Sequence, residues 1–329
     1  MSNNPGFNPA LDFQAEESRS RRDASSDKVF RRIVAVAGIF VLVSLSGAAL
    51  SMLWGGRLAF STFGFEFLWS SDWDAVNHKF GALVPIYGTL VTAFIAMLIA
   101  VPVSFGIAYY LTEVAPKWLR QPVASAIELL AGIPSIIYGM WGLFVFVPVM
   151  AEYVNPWLDE HIGALPFIGV LFSGPPLGMG MLTAGIVLAI MVVPFITSVM
   201  REVFLTVPRP LKESAYALGS TTWEVVWNIV LPHTRSAVIG GVFLGLGRAL
   251  GETMAVTFVL GNAHRLTPSL LEPGNSIAAT IANEFTEADS DIYLSSLIAL
   301  GFLLFVVTFV VLAIAKLMLN RLNRQEGRQ

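Results

Sequence analysis

The stretch from Arg201 to Arg235 combines residue types and spacings that suit contact with a partner protein. It contains Glu213-Ser-Ala-Tyr-Ala-Leu-Gly219, then nine residues, then Ile229-Val-Leu-Pro232. A short rigid helix can move as a lever, and a glycine lets the backbone turn close against a neighbouring surface. The pattern therefore predicts a short helix that ends in a tight turn at Gly219.

The same stretch has the signals of two short helices separated at Gly219. Thr221 and Glu224 have the spacing of a capping box, which starts a helix. Pro232 is expected to end that second helix, because proline restricts the residue before it. An amphipathic surface helix without any partner is the alternative interpretation.

Charged residues occur inside stretches that are otherwise apolar. Arg248 and Glu252 lie four residues apart in one such stretch, and Glu128 lies early in another. Charges in a bilayer are expensive and usually face a cavity or a partner. Arginine suits an oxyanion because its guanidinium offers a planar fork of donors. We predict that these three residues lie on a translocation pathway for an anion; a structural Arg248–Glu252 ion pair that clamps helices is the alternative.

Two Gly-x-x-x-Gly spacings lie in the stretch that contains Arg248. The first is formed by Gly241 and Gly245, the second by Gly247 and Gly251. Glycines one helical turn apart permit close contact between membrane helices. We expect a packing seam there, either within the subunit or against another one.

Several kinds of chemistry are excluded by what the sequence lacks. There is no cysteine, and the four histidines show no His-x-x-x-His spacing, so no metal or haem site is expected. None of the five lysines lies in a Gly-x-x-x-x-Gly-Lys-Ser/Thr loop, so no site for ATP and Mg²⁺ is expected in this chain. The motifs of intramembrane hydrolases are also missing. The chain is therefore predicted to have no cofactor, no catalytic residues and no nucleic-acid partner.

Composition identifies the solvent of this chain as lipid. Of its 329 residues, 55% are hydrophobic and only 13% are charged, about half the charged share of a soluble domain. Windows of about twenty apolar residues predict an all-α integral membrane protein whose residues 1–32 and 320–329 are polar tails and whose domain spans residues 33–319. The predicted spans are 33–53, 83–111, 123–150, 181–200, 236–260 and 294–319, with residues 201–235 as a loop.

Basic residues are sorted between alternate segments. The tails, counted with Lys316, and the second and fourth loops hold 16 lysines and arginines, while the first, third and fifth loops hold 3. The positive-inside rule then places both termini in the cytoplasm of a multi-pass membrane protein. The opposite loops are acidic, and an acidic face repels a free anion. An anionic substrate would accordingly arrive on a docked carrier protein.

The stretch around Gly219 resembles the signature loop of ABC importer permeases, with Ser214 where that loop has its first alanine. In that family the loop forms a cytoplasmic coupling helix that sits in a groove of the ATPase subunit. The resemblance implies the ABC importer permease fold and a coupling role for six positions, which are Glu213, Ala215, Gly219, Ile229, Leu231 and Pro232.

Three further stretches resemble the C-type permease of the phosphate-specific importer, over about residues 63–319. They run from Gly132 to Phe146, from Val193 to Val203, and from Gly245 to Val256. The resemblance implies an inner-membrane permease of an inorganic phosphate importer. Its implied partners are a sister A-type permease, two ATPase subunits, an extracytoplasmic phosphate-binding protein, phosphate and membrane lipid.

Other functions stay open at this point. The loop motif is shared across substrates, so a permease for sulfate or molybdate is the nearest alternative. A secondary transporter or channel would need no ATPase, and an intramembrane enzyme is a third class.

Overall fold

The computed structural model describes the backbone of residues 9–326 and most side chains between residues 29 and 319. It consists of two compact units, one ending at Trp54 and the other beginning at Gly55. In the described part of the chain, six helical stretches are long and apolar enough to cross a membrane, which confirms the predicted all-α architecture. They are Val29–Gly55, Leu83–Val114, Ser135–His161, Met181–Leu205, Thr222–Leu250 and Asp291–Leu319.

Both predicted tails continue into helices. The first unit is formed by α1 (Pro9–Gly55), so the polar tail from Pro9 onward and the first span are one helix. At the other end of the chain, α15 (Asp291–Glu326) runs through most of the second tail. Residues 1–8 and 327–329 of the two predicted tails lie outside the described residues.

The second unit contains the remaining spans and several short helices. Between α1 and α15 the elements are α2 (Arg57–Phe63), α3 (Glu66–Trp69), β1 (Trp73–Asp74), β2 (Lys79–Phe80), α4 (Leu83–Tyr109), α5 (Lys117–Ala131), α6 (Ser135–Trp141), α7 (Val147–Val149), α8 (Asn155–His161), α9 (Met181–Leu205), α10 (Arg209–Ala217), α11 (Thr222–Val225), α12 (Leu231–Leu250), α13 (Met254–Leu260) and α14 (Ile277–Glu284). Single π-helical turns occur at Tyr110–Val114, Gly142–Phe146, Met150–Val154 and Val226–Val230, and a 3₁₀ turn at Gly169–Leu171. The two strands pair antiparallel, with Trp73 opposite Phe80.

Helix α9 lies at the centre of the second unit. Its apolar window is 61% buried, more than that of any other spanning stretch. On one side it contacts α4 closely: a Cβ added to Gly185 would lie 2.6 Å from Cγ2 of Ile95. The Ser104 hydroxyl of α4 also donates to the Val193 carbonyl of α9, at 3.1 Å. Lipid gives apolar helices no drive to associate, so such close packing holds them together.

The predicted third span, 123–150, is displaced in the structure. Helix α5 ends at Ala131, and the spanning stretch begins only at Ser135, in α6. Pro134 causes the interruption because it has no N–H and disfavours helical backbone at the residue before it. The span then continues through α7 and two π-helical turns to His161. The apolar residues of α5 had been counted as part of the membrane stretch.

The predicted fifth span, 236–260, is interrupted. One continuous helical stretch runs from Thr222 to Leu250, and the chain becomes helical again in α13. The prediction that Pro232 ends a helix is therefore wrong. Pro232 lies directly after the π-helical turn Val226–Val230. In that turn the Leu231 N–H donates to the Val226 carbonyl five residues earlier, so the helix passes the proline with its hydrogen bonds rearranged.

A hydrogen-bonded network joins several elements at the end of the unit where α4 begins. The Glu284 carboxylate accepts from the Trp73 indole at 2.7 Å and from the Tyr293 hydroxyl at 2.6 Å. Its other oxygen lies 2.6 Å from Nε2 of His264. Burial alone raises the pKa of Glu284, but hydrogen bonds from His264 and Tyr293 outweigh it, so the pKa of this carboxyl lies below its usual range.

We expect Glu284→Gln to lower stability in a pH-dependent way. Because folding lowers the pKa of Glu284, its ionised form contributes stability above the unfolded pKa of 4.5, and this is lost as the pH falls through the folded value. At neutral pH the variant should lose about 1 to 3 kcal/mol of unfolding free energy. Thermal unfolding in detergent from pH 7 to pH 3 measures the difference in stability between the parent and the variant. This difference should become smaller as the pH falls.

The exposed neighbour Glu287 offers the matched control, since Glu287→Gln changes the same group outside the network. A gap between parent and Glu284→Gln that stays constant across the pH range would contradict a role for the carboxylate charge.

Candidate functional site

The predicted coupling segment consists of α10, a turn at Gly219 and α11. Gly219 has a φ of +87°, in the left-handed region that favours glycine. A Cβ built on it would meet no atom within 4 Å, so the backbone conformation and not lack of space requires glycine. The capping box forms as predicted: the Thr221 N–H donates to the Glu224 carboxylate at 2.8 Å, and the Glu224 N–H donates to the Thr221 hydroxyl at 3.3 Å.

The outer surface of this segment is partly apolar. Leu218 is 88% exposed, and Leu211 and Tyr216 are 44% and 40% exposed. Glu213 is exposed beside them, whereas Ala215 faces the core and is 6% exposed. The segment therefore presents large apolar side chains and a carboxylate outward, while Ala215 allows α10 to lie close to the helices beneath it.

The other half of the motif lies inside a helix. Ile229 and Leu231 are half-buried and pack against the core that contains α9, while Pro232 is exposed. They lie in the continuous helical stretch from Thr222 to Leu250, which joins α11 to α12. These residues thus hold α11 in place relative to the fifth span.

An ion pair that the sequence analysis missed attaches α10 to the end of α4. Nζ of Lys212 lies 2.6 Å from Oε1 of Glu113, and the two side chains are only 15% and 8% exposed. The Lys212 ammonium also donates to the Phe204 carbonyl at 3.5 Å. Lys212 precedes Glu213 in the motif, but no periodic pattern relates it to a residue 99 positions earlier.

Arg248 and Glu252 do not lie on one helical face, contrary to the prediction. Arg248 is in the last turn of α12 and is exposed, and Glu252 follows the end of that helix at Leu250. In the described chain the two make no ion pair. The carboxylate of Glu252 accepts instead from the N–H of Ala255 at 3.2 Å, in the first turn of α13.

The position of Arg248 along the length of α9 follows from its aromatic neighbour on that helix. Its guanidinium carbon lies 5.7 Å from the centre of the Phe195 ring, and Phe195 is close to the middle of α9. Arg248 therefore lies near half the height of that spanning helix. The adjacent Gly251 borders open space, since a Cβ built on it would meet only the Gly247 carbonyl oxygen, at 3.6 Å.

Glu128, the third predicted pathway residue, has a different ionic partner. It belongs to α5, outside the third spanning stretch, and is 55% exposed. Its carboxylate is 3.6 Å from the guanidinium of Arg201 at the end of α9, a residue that is only 14% exposed. Arg201 was visible in the sequence as the first charge after a long apolar stretch, but no role had been assigned to it.

The four glycines divide into two pairs with different surroundings. A Cβ added to Gly241 would lie 2.7 Å from Val199, and one added to Gly245 would lie 2.6 Å from Ile196, so this pair is the contact with α9. Gly247 has only an ordinary neighbour, Leu312 at 3.7 Å, and Gly251 is open. The first pair thus packs within the subunit, whereas the second pair makes no close helix contact of this kind.

Metal-binding groups are not found in the described residues: no three His, Asp or Glu side chains lie together there in a way that could hold a metal ion.

Comparison with known proteins gives consistent results. Residues 100–324 match the family described as binding-protein-dependent transport system inner membrane component. The fold resembles solved ABC transporter structures involved in import of the polysaccharide alginate, with a TM-score of 0.58 and 19% identity, covering 92% of this chain and 99% of the other in one structure. A second structure, in complex with a periplasmic protein, has the same TM-score.

Closer relatives are described as phosphate transport system permease proteins PstC. One from Xylella fastidiosa (strain 9a5c) is 69% identical, covering 94% of this chain and 95% of the relative. Another from Pasteurella multocida (strain Pm70) is 56% identical, covering 96% and 98%. A third from Mesorhizobium japonicum is 55% identical, covering 95% and 96%. The chain belongs to the family of binding-protein-dependent transport system inner membrane components.

Proposed function

We propose that this chain is the transmembrane permease subunit of an ATP-driven inorganic phosphate importer. The observation that carries the proposal is the identity of 55 to 69% with PstC relatives over nearly their whole lengths. At that similarity the substrate of the relatives is a better guide than the loop motif, which is shared across substrates. Sulfate and molybdate are accordingly disfavoured.

The partners follow from the same family. The chain would form the pathway with a sister A-type permease, receive phosphate from an extracytoplasmic binding protein, and depend on two separate ATPase subunits that hold ATP and Mg²⁺. The sorting of basic residues supports an orientation with both termini in the cytoplasm. Reporter fusions at Gln329 and beside Asp159 should then report opposite sides of the membrane.

We assign the coupling role to the outer surface of α10 and the turn at Gly219. Exposed Leu218, Leu211 and Tyr216 support this assignment, because a contiguous apolar patch outside the bilayer marks a protein contact. The left-handed backbone at Gly219 sets the angle between the two helices, and Glu213 adds a charge at the edge of the patch.

We assign Arg248 to the translocation pathway. Its exposed guanidinium lies near half the height of α9 and beside a break in the fifth span. Irregular backbone at membrane depth is tolerated where it is buried in protein or lines a water-filled cavity. Glu128 and Glu252 have other partners in the structure, so the pathway role rests on Arg248.

Uptake by vesicles containing the assembled complex tests the proposed function. Radiolabelled phosphate should enter only with ATP and binding protein, and excess sulfate or molybdate should leave uptake unchanged. Uptake that tracks an ion gradient without ATP, or competition by either oxyanion, would reject the proposal.

The coupling role predicts that Gly219→Trp leaves the subunit inserted but reduces transport. A bulky residue in left-handed backbone distorts the turn between α10 and α11, and we expect phosphate uptake to fall about tenfold or more. Membrane abundance and copurification of the ATPase are measured alongside uptake. Gly240→Ala is the control, because Gly240 is also free of close neighbours but lies in helical backbone.

Normal uptake and phosphate-dependent ATP hydrolysis in the Gly219→Trp complex would remove the turn from the mechanism. Glu213→Lys, on the exposed side of α10, should also reduce uptake while membrane abundance holds.

The pathway role predicts graded effects at Arg248. Arg248→Gln should abolish phosphate uptake, and Arg248→Lys should retain a fraction, because an ammonium group keeps the charge but lacks the planar fork. Both variants should insert normally, since no ion pair in the described chain is broken. Uptake is normalised to membrane abundance, with Arg265→Gln as an exposed control. Full uptake by Arg248→Gln would exclude the residue from the pathway.

A further inference from the structure

The coupling segment is fastened to α4 at two places, one on each side of Gly219. Before the glycine, Lys212 of α10 forms its short ion pair with Glu113. After the glycine, the Trp223 ring meets the Tyr109 ring edge-on at 5.8 Å, between ring centroids. The segment therefore holds the last turns of α4 with a charged contact and an aromatic one.

The aromatic contact extends into a cluster. Trp223 and Trp227 stack at 5.4 Å, and Trp227 meets Phe105 of α4 at 6.1 Å. Phe105 in turn meets Phe204, at the end of α9, at 5.8 Å. Through this cluster α11 and the π-helical turn after it pack on α4, whereas Lys212 of α10 reaches the end of the same spanning stretch through an ion pair.

The ion pair attaches where the regular α-helix of the second span ends. Glu113 lies in the π-helical turn Tyr110–Val114, where the regular hydrogen bonding of α4 changes, and the chain leaves the helix at Ala115. Arg120 of α5 donates to the Ala115 carbonyl at 2.7 Å, so α5 is held at the same point. A displacement of Lys212 would thus move the end of α4 and the beginning of α5 together.

The chemistry of the contact also distinguishes it from ordinary packing. Apolar side chains would hold α10 equally well, because a buried ion pair loses much of its attraction to desolvation. A short charge-assisted hydrogen bond adds a defined direction and length to the contact. The ammonium group also reaches the Phe204 carbonyl, so one side chain locates α10 relative to both α4 and α9.

We propose that Lys212 and Glu113 are positioning residues that transmit the movement of α10 to α4 during transport. The pair links the part of the chain that faces the ATPase to the end of the second span. This inference rests on the proposed function, because it assumes that ATP hydrolysis on a partner drives the movement.

The test measures phosphate transported per ATP hydrolysed, with the complete complex in vesicles. The variants are Lys212→Met, Glu113→Gln and the reversed pair Lys212→Glu with Glu113→Lys. Each single variant should keep its membrane abundance and its bound ATPase while the transport ratio falls about tenfold. The reversed pair should recover part of the parent ratio, because it restores the opposite charges but not the hydrogen bond from residue 212 to the Phe204 carbonyl.

Two control variants change the same chemical groups elsewhere. Lys117→Met removes an exposed lysine at the start of α5, and Glu160→Gln removes an exposed carboxylate of α8. Both should keep the parent ratio. If the parent complex itself shows no ATP-dependent uptake, the proposed function fails. The role of the Lys212–Glu113 pair is tested separately, by comparing each variant with an active parent complex.

Several results would overturn the proposal. If the single variants keep the parent's transport ratio but are less abundant in the membrane, the ion pair is purely structural. The same conclusion follows if the reversed pair inserts normally but transports no more phosphate per ATP than the single variants. If the single and reversed variants are all lost from the membrane, Glu113→Asp decides. This variant keeps the charge but shortens the side chain by one methylene. Its phosphate transported per ATP should therefore fall while its membrane abundance stays normal. A transport ratio equal to that of the parent would reject the proposal.

Discussion

The close packing of α9 against α4 and α12 is the contact on which the rest of the second unit depends. Lipid chains are as apolar as leucine, so spanning helices gain little from hiding apolar surface and are held by fit. Small residues provide that fit, because Gly185 admits Ile95 from one side and Gly245 admits Ile196 from the other. With both neighbours fixed to α9, the ends of α4 and α12 stand side by side and together carry the coupling segment.

At the breaks between α5 and α6 and between α12 and α13, side chains bond to backbone groups that the helix ends leave free. At the first break the Tyr138 hydroxyl donates to the Leu130 carbonyl at 3.0 Å, near the end of α5. At the second, the Glu252 carboxylate accepts from the N–H of Ala255. Helix ends otherwise leave donors and acceptors without partners, which is costly in a medium without water. Tyr138 and Glu252 therefore each bond a backbone group at a helix end, a role that their residue types alone would not reveal.

The sequence predicted what depends on local pattern and missed what depends on distant contacts. Hydropathy gave six spans, and the motif gave the two short helices and the turn at Gly219. A twenty-residue average cannot register a break of two or three residues, so α5 was merged into the third span and α13 into the fifth. The pairs Lys212–Glu113 and Arg201–Glu128 join residues far apart in the chain, and only the packing of α4, α5 and α9 brings them together.

The break after Leu250 also changes what the charge of Arg248 can do under the proposed function. Had the helix continued, Glu252 would lie one turn away and its carboxylate would compete with a passing oxyanion for the same donors. Instead Glu252 turns toward α13, and Arg248 remains at the carboxyl end of α12, where the helix dipole favours a cation. The guanidinium is thus stabilised by the helix dipole and by the face of Phe195. Neither interaction uses up its hydrogen-bond donors, which leaves them available for an anion that must bind briefly and then leave.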